Sequence, residues 1–89
     1  MAVYSVSYDL NSPGKKYEDI YKTLKSFSGW NHIMESTWLI STNLTPSQVL
    51  EKFKPQLDSN DRMFVSKVYA NQYSGWLSDK QWEWLTNNV

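Results

Sequence analysis

Cysteine is absent from this 89-residue sequence, and histidine and arginine occur once each, at His32 and Arg62. The lack of cysteine excludes disulfide bonds and thiolate-metal sites, although it leaves the redox compartment open. No stretch approaches the roughly 18 consecutive apolar residues of a transmembrane helix, so we expect no membrane-spanning segment and no membrane partner. The N-terminal residues also lack a basic segment followed by an apolar run, so we expect no signal peptide and a cytoplasmic location.

The chain also has no excess of positive or negative charge. Nine basic and nine acidic side chains give a formal net charge of zero at pH 7. Non-specific binding to nucleic acid depends on a positive field that neutralises phosphates, and this chain has no such overall field. Any contact with RNA or DNA is therefore expected to be local.

Aromatic residues are abundant by contrast. The chain has five tryptophans, six tyrosines and three phenylalanines. A single domain of this size buries only roughly 60–65% of the surface that its unfolded chain exposes, whereas each aromatic side chain can bury about 150–250 Å². We therefore expect some of this aromatic surface to be buried against a second copy of the chain, in a homodimer.

The first third of the chain predicts a strand followed by a helix. Apolar and polar residues alternate over residues 3–8, which is typical of a half-buried strand. Asp9 then falls on the polar face, at the C-terminal edge of this strand and just before a turn at residues 12–14. Apolar residues at helical spacing predict an amphipathic helix over residues 17–27, with Gly29 as its C-terminal stop.

The middle of the chain predicts a hairpin and a second helix. A polar break at residues 35–36 divides the β-like stretch 30–42 into two tightly joined strands. Thr45-Pro46-Ser47-Gln48 has the pattern of an N-cap, a proline at the first helical position and a capping box, so a second helix is expected to begin there. Pro55 is expected to end it at about Lys54.

The last third predicts a strand and a short helix. β-branched and aromatic residues over 63–69 indicate the strand. Ser78-Asp79-Lys80-Gln81 repeats the capping-box pattern and predicts the start of a short helix that carries Trp82 and Trp84. The predicted order is thus βαββαβ, followed by a C-terminal helix.

This order predicts an α+β fold, namely a ferredoxin-like βαββαβ sandwich in which a four-stranded antiparallel sheet carries two helices on one face. Residues 1–70 would form the ferredoxin-like domain. Residues 71–89 would form a Trp-rich C-terminal extension that packs on the domain or on its dimer mate. The second face of such a sheet needs a cover, which either this extension or a second copy could provide.

Several of these motifs resemble those of one superfamily. They are the strand that ends in Tyr8-Asp9, the hairpin 32–40 with Ser36-Thr37-Trp38-Leu39, the strand after Asn60-Asp61, and Trp84-Leu85 near the C-terminus. Over residues 1–70 the chain resembles the small CRISPR-associated adaptation proteins and the virulence-associated protein D toxins. Within this superfamily it is most similar to short bacterial and phage proteins labelled SinR-like.

The resemblance implies a homodimer in which Asp9 faces its symmetry mate across a cleft. In members described as nucleases, this pair is associated with a divalent metal and phosphodiester cleavage. It therefore implies a metal-dependent endonuclease that acts on RNA or DNA, with Asp9 as the catalytic residue and as the ligand of Mg²⁺ or Mn²⁺. Lys15 and Lys16 would bind phosphate, and Lys22 and Lys25 either extend this basic strip or line a solvated helix face.

A second interpretation is a non-catalytic protein-interaction or regulatory module, such as a toxin–antitoxin or phage–host factor. Some members of the superfamily bridge partner subunits on DNA without using a nuclease centre, and arginine is scarce in this chain. This interpretation assigns Trp38, Trp76, Trp82 and Trp84 to a partner or dimer interface. A third interpretation, RNA binding without cleavage, uses tryptophans to stack bases.

Individual polar residues also have structural interpretations. Asp9 precedes a turn, where an aspartate commonly accepts backbone N–H groups in an Asx-turn. Glu35 and Asp61 could add carboxylates to a site, but they lie at turns, where acids are usually solvated. His32 has no second histidine or cysteine near it, so a surface or core role is favoured over a metal ligand or general base.

Overall fold

Four strands and three helices make up the described part of the chain, residues 1–11 and 17–89 of a computed structural model. The strands are β1 (Ala2–Asp9), β2 (Gly29–Met34), β3 (Thr37–Thr42) and β4 (Arg62–Val68). The helices are α1 (Tyr17–Leu24), α2 (Pro46–Phe53) and α3 (Asp79–Asn88), and a 3₁₀ turn (Lys54–Gln56) follows α2. The predicted turn at 12–14 lies outside the described residues.

The strands form one antiparallel sheet in the order β2-β3-β1-β4, so β2 and β4 are its edges. In this register Val6 lies between Trp38 on β3 and Val65 on β4, and Asp9 lies opposite Arg62. The prediction of an α+β fold with a four-stranded antiparallel sheet is confirmed. The element order and the strand order are compatible with a ferredoxin-like sandwich.

Local sequence signals account for most element boundaries. The turn at residues 35–36 separates β2 from β3 as predicted. Thr45 and Ser78 each accept a hydrogen bond from the backbone N–H three residues later, and the glutamine there bonds back to the cap N–H, so both capping boxes are complete. α2 ends at Phe53, and Pro55 lies in the following 3₁₀ turn.

α1 is shorter than predicted, because it ends at Leu24 rather than near Phe27. The N–H and the hydroxyl of Ser26 both donate to the carbonyl oxygen of Thr23, at 3.1 and 2.6 Å. A serine side chain that bonds to a nearby carbonyl in this way competes with the helical pattern. Phe27 nevertheless reaches the core, where its ring centroid lies 6.0 Å from that of Phe53.

The larger core lies between one face of the sheet and the helices α1 and α2. Period-two alternation in the strands and helical periodicity in α1 and α2 place apolar side chains on facing surfaces. Burying one large apolar side chain contributes about 1.5–3 kcal/mol, so this cluster is a main source of stability. Its buried members are Tyr4, Val6, Tyr8, Ile20, Leu24, Phe27, Trp38, Ile40, Val49 and Phe53.

α3 covers part of the opposite face of the sheet. Its Leu85 packs against Val3 and Leu39, which are also buried. A hydrogen bond from Asn31 Nδ2 to the carbonyl oxygen of Gln81, 3.3 Å long, ties α3 to β2. The C-terminal extension therefore contacts the sheet of its own chain. Neither α3 nor any other helix among the described residues is long and apolar enough to cross a membrane.

Candidate functional site

Asp9 is the C-terminal residue of β1, an inner strand of the sheet, and its side chain is exposed. Tyr8 is buried on the helix side, so alternation places Asp9 on the face opposite to α1 and α2. Its cross-strand neighbour is Arg62, and these residues line a shallow depression together with Ser7 and Phe64. Within the described residues, the Asp9 carboxylate has no hydrogen-bond or ion-pair partner. The turn predicted at residues 12–14, with which Asp9 could form an Asx-turn, lies outside the described residues.

Arg62 is held in place beside Asp9. Its Nη1 donates to the carbonyl oxygens of Ser59 and Asp61, at 3.1 and 2.8 Å. Both bonds are donated by Nη1. Among the described residues no partner accepts from the N–H groups of Nε and Nη2, so these groups can donate to a ligand. The depression therefore carries one anchored positive charge beside one exposed carboxylate.

A buried carboxylate fixes the chain next to this depression. Asp61 is only 7% exposed, although its position at a turn favoured a solvated side chain. Its Oδ1 accepts from the Asn11 N–H at 3.0 Å, and its Oδ2 accepts from the Asp58 N–H at 2.8 Å. Asp61 thus joins the segment after β1 to the loop before β4. Both oxygens accept hydrogen bonds from the backbone, so this residue has a structural role at the junction.

Tyr8 supports the end of β1 from the helix side. Its hydroxyl accepts a hydrogen bond from Trp38 Nε1 at 3.1 Å and donates to the carbonyl oxygen of Glu35 at 3.3 Å. Burial is the main reason that the pKa of Tyr8 is raised to about 12, because a phenolate would be poorly solvated there. Tyr8 therefore remains protonated at neutral pH, and its hydroxyl connects β1 to β3 and to the β2–β3 turn.

A single chain does not assemble a metal site from the described residues. No group of three or more His, Asp or Glu side chains lies close enough together within residues 1–11 and 17–89 to hold a metal ion. Glu35 lies in the β2–β3 turn and contacts Tyr8 through its carbonyl oxygen. Lys15 and Lys16, which were expected to bind phosphate, lie outside the described residues. A metal at Asp9 would need ligands beyond the described carboxylate and imidazole groups of one chain.

The four tryptophans assigned to an interface occupy different environments. Trp38 is 1% exposed within the larger core, so its side chain is not available to a partner, contrary to the expectation. Trp82 and Trp84 are partly buried against the cluster around Leu85 in their own chain. Trp76 is 99% exposed and is the one of the four that is fully available to a partner.

A groove runs between the sheet and the extension, on the same face as Asp9. Met34 and Val68 line it from the sheet, and Tyr73 and Trp76 line it from the extension. Phe64, which is 71% exposed, lies on this face across from Ser7. Exposed apolar side chains that share one face are typical of an interaction surface. No local sequence signal had assigned Met34, Tyr73 or Phe64 to a site.

His32 lies on the other side of the sheet from Asp9. Its imidazole stacks on the indole of Trp38, with ring centroids 4.0 Å apart and planes 13° apart. Its Nε2 lies 3.2 Å from the carbonyl oxygen of Glu35. A β-bulge between His32 and Met34 shifts the hairpin register and pairs His32 with Trp38. His32 and Asp9 therefore do not form a common site.

Alternation within β1 located Asp9 at the C-terminal end of the strand and on its polar face, but no local signal predicted Arg62 as its neighbour. The pairing of β1 with β4 joins segments that are distant in sequence, and no tight turn sets their register. The His32–Trp38 stack had a partial signal, because both residues belong to the predicted hairpin. The bulge changes which residues lie opposite each other, and the sequence did not reveal it.

No protein-family model matches this chain, and no solved structure matches it significantly.

Proposed function

We propose that this protein is a homodimeric, ferredoxin-like member of the CRISPR-adaptation and virulence-associated protein D superfamily. In this proposal it cleaves RNA or DNA with a divalent metal held by Asp9 of each copy. The observation that supports it best is the exposed carboxylate of Asp9 at the end of β1, opposite an anchored arginine. The resemblance assigns the catalytic role to this same aspartate.

The available donors suit Mg²⁺ or Mn²⁺. The chain has no cysteine, and Asp9 offers hard carboxylate oxygens. Mg²⁺ is usually bound by one or two carboxylates, while waters and substrate phosphates complete its coordination. Two Asp9 side chains related by a twofold axis would meet that requirement. When bound, such a cation activates a water and neutralises charge on the phosphate.

The uncovered part of the sheet face that carries Asp9 is the proposed dimer contact. α3 covers this face around Val3 and Leu39, whereas Phe64 remains exposed two residues along β4 from Arg62. A twofold contact uses the same patch on both copies, so contact around Phe64 would bring the two Asp9 side chains towards the axis. Arg62 from each copy would then donate hydrogen bonds to the substrate phosphate.

A cleavage assay tests the catalytic part of the proposal. Wild type and Asp9→Asn are incubated with labelled single- and double-stranded RNA and DNA in Mg²⁺, Mn²⁺ or EDTA. Asp19→Asn, the same chemical change at an exposed position of α1, is the matched control. We expect metal-dependent cleavage by wild type and by the control, and none by Asp9→Asn. Equal cleavage by Asp9→Asn and wild type would reject Asp9 as the catalytic residue.

Sedimentation analysis tests the dimer. Phe64→Asp places a charge in the proposed contact and should yield monomers that no longer cleave nucleic acid. Tyr69→Asp makes a similar change at another exposed aromatic residue and should leave the dimer intact. A monomeric wild-type protein would contradict the proposal.

A second candidate function is a non-catalytic interaction module. The observation that favours it is the full exposure of Trp76 at the rim of an apolar groove. This candidate predicts no cleavage of any nucleic acid and a loss of self-association or partner binding in Trp76→Ser. Asp9→Asn should then behave as wild type. If Trp76→Ser keeps every association of the wild-type protein, this candidate fails.

A further inference from the structure

A second surface combines aromatic rings with lysines on the side of the sheet opposite to Asp9. It lies where α1 packs over the edge strand β2, and we call it the α1–β2 surface. Its residues are Tyr21, Lys22, Lys25, Trp30 and His32. The ring centroids of Tyr21 and His32 are 5.6 Å apart. None of these residues lines the depression at Asp9.

His32 forms a fixed, flat platform at this surface. One face of its imidazole is stacked on the buried indole of Trp38. The residue is exposed, so part of the imidazole that Trp38 does not cover reaches solvent, beside the tilted ring of Tyr21. The contact of Nε2 with the carbonyl oxygen of Glu35 restrains the rotation of the ring. A ring that is already restrained loses little conformational entropy when a ligand stacks on it.

The lysines give this surface a local positive charge. Lys22 and Lys25 are exposed on α1 and its C-terminal end, and neither forms an ion pair within the described residues. Lys25 Nζ lies 5.3 Å from the ring centroid of Trp30, which is 41% exposed. Glu18 is the one acidic residue that lines the adjoining depression. In that depression two ammonium groups therefore face one carboxylate, in a protein whose net charge is zero.

We infer that the α1–β2 surface binds single-stranded nucleic acid. An unpaired base stacks on the exposed part of the His32 ring, while backbone phosphates contact Lys22 and Lys25. Aromatic platforms beside cationic groups suit strands whose base faces are free, whereas a duplex keeps those faces stacked. An acidic peptide would use the lysines but would gain nothing from the flat ring. The inference does not depend on cleavage at Asp9, because the two sites lie on opposite faces of the sheet.

Binding is measured by fluorescence anisotropy with labelled oligouridylate and oligothymidylate, each about 12 nucleotides long. A duplex of equal length serves as the competitor. All proteins carry Asp9→Asn, and the buffer contains EDTA, so binding is observed without cleavage. If the nuclease proposal is wrong, this binding measurement is still valid. If no binding is observed here, the cleavage assay still tests the nuclease proposal independently.

The expected results separate stacking from charge. His32→Ala should weaken single-strand binding by at least about fivefold, which is the lower end of the contribution of one stacked base. His32→Phe keeps a flat ring and should retain binding. Replacing Lys22 and Lys25 together by Gln should weaken binding and flatten the slope of log K against log salt by about 1.4, since each phosphate contact on a single strand contributes about 0.7.

A matched control replaces Lys52 and Lys80 by Gln, which makes the same change of charge on α2 and α3. Binding to this control should be close to that of the parent protein. Equal weakening by the two lysine pairs, unchanged binding in His32→Ala, or a preference for the duplex would overturn the inference. Circular dichroism checks that His32→Ala is folded. If His32→Ala is unfolded, the comparison of the two double-lysine variants tests the inference, because these lysines are exposed and their replacement should not disturb the fold.

Discussion

The indole Nε1 of Trp38 donates a 3.1 Å hydrogen bond to the hydroxyl oxygen of Tyr8, and this bond joins β3 to β1 inside the core. The Tyr8 hydroxyl in turn donates a hydrogen bond to the carbonyl oxygen of Glu35, which lies in the β2–β3 turn. Tyr8 directly precedes Asp9 in the chain. The same bonds therefore stabilise the end of the strand from which the candidate catalytic carboxylate projects.

Tyr8→Phe removes the acceptor for Trp38 Nε1 and leaves a buried donor without a partner. A buried N–H that has lost both water and its acceptor costs free energy, so we expect the free energy of unfolding to fall by about 1–3 kcal/mol. Urea denaturation followed by tryptophan fluorescence measures this change. Tyr69→Phe, which removes a hydroxyl from an exposed ring, should cost less than about 0.5 kcal/mol. Equal losses in the two variants would refute the role assigned to the Tyr8 hydroxyl.

Tyr8 should also make stability depend on alkaline pH. Its pKa is raised by burial from 10.0 to about 12 in the folded protein. Below pH 10 both states keep the proton, and above it the unfolded state loses its proton first, so the unfolded state binds fewer protons. The contribution of Tyr8 to stability is therefore fully present below pH 10 and is lost as the pH rises towards 12. Ultraviolet titration of wild type should show a tyrosine that ionises near pH 12, and this late step should be absent from Tyr8→Phe but present in Tyr69→Phe.

Asp61→Asn should destabilise the junction between β1 and β4. Both carboxylate oxygens accept backbone N–H bonds, from Asn11 and Asp58, and an amide can offer only one oxygen in their place. We expect a loss of about 1–3 kcal/mol in the free energy of unfolding. In Asp19→Asn the change should stay within about 0.5 kcal/mol. Chemical denaturation of both variants provides the comparison, and an unchanged Asp61→Asn would argue against a structural role.

Ser78→Ala removes the side-chain acceptor that caps α3. The Ser78 hydroxyl accepts from the Gln81 N–H at 3.2 Å, and the loss of such a cap costs about 0.5–2 kcal/mol. Hydrogen exchange should become faster for amides of α3, because this helix can open without disrupting the larger core. Ser47→Ala replaces an exposed serine inside α2 and should leave exchange in α3 unchanged. Normal protection of α3 in Ser78→Ala would contradict the expected effect.

Most secondary structure could be predicted because it depends on neighbours in the sequence. Alternation defined β1, and the pairs Thr45 with Gln48 and Ser78 with Gln81 defined the starts of two helices. The end of α1 could not be predicted in the same way. Helical periodicity continued to Phe27, but Ser26 bonds to the Thr23 carbonyl oxygen and the helix ends earlier.

Less of the candidate site could be predicted than of the fold. Asp9 was identified from alternation alone, and the structure places it on the expected face. Asp61 looked like a solvated turn residue, yet two backbone N–H groups from separate segments bury it. Trp38 looked like an interface residue, yet its ring is enclosed beneath His32. The burial of Asp61 and Trp38 depends on contacts between segments that are distant in the sequence.

Local sequence patterns were sufficient to predict the alternating first strand that ends in Asp9, the starts of the capped helices and the turn between β2 and β3. These are short-range features, since they arise from side chains a few residues apart. Long-range contacts were required to place Arg62 opposite Asp9, to stack His32 on Trp38 beside a bulge and to pack α3 over part of the second face. Strand register and the docking of α3 are set by the packing of whole faces against each other, which no local pattern in the chain encodes.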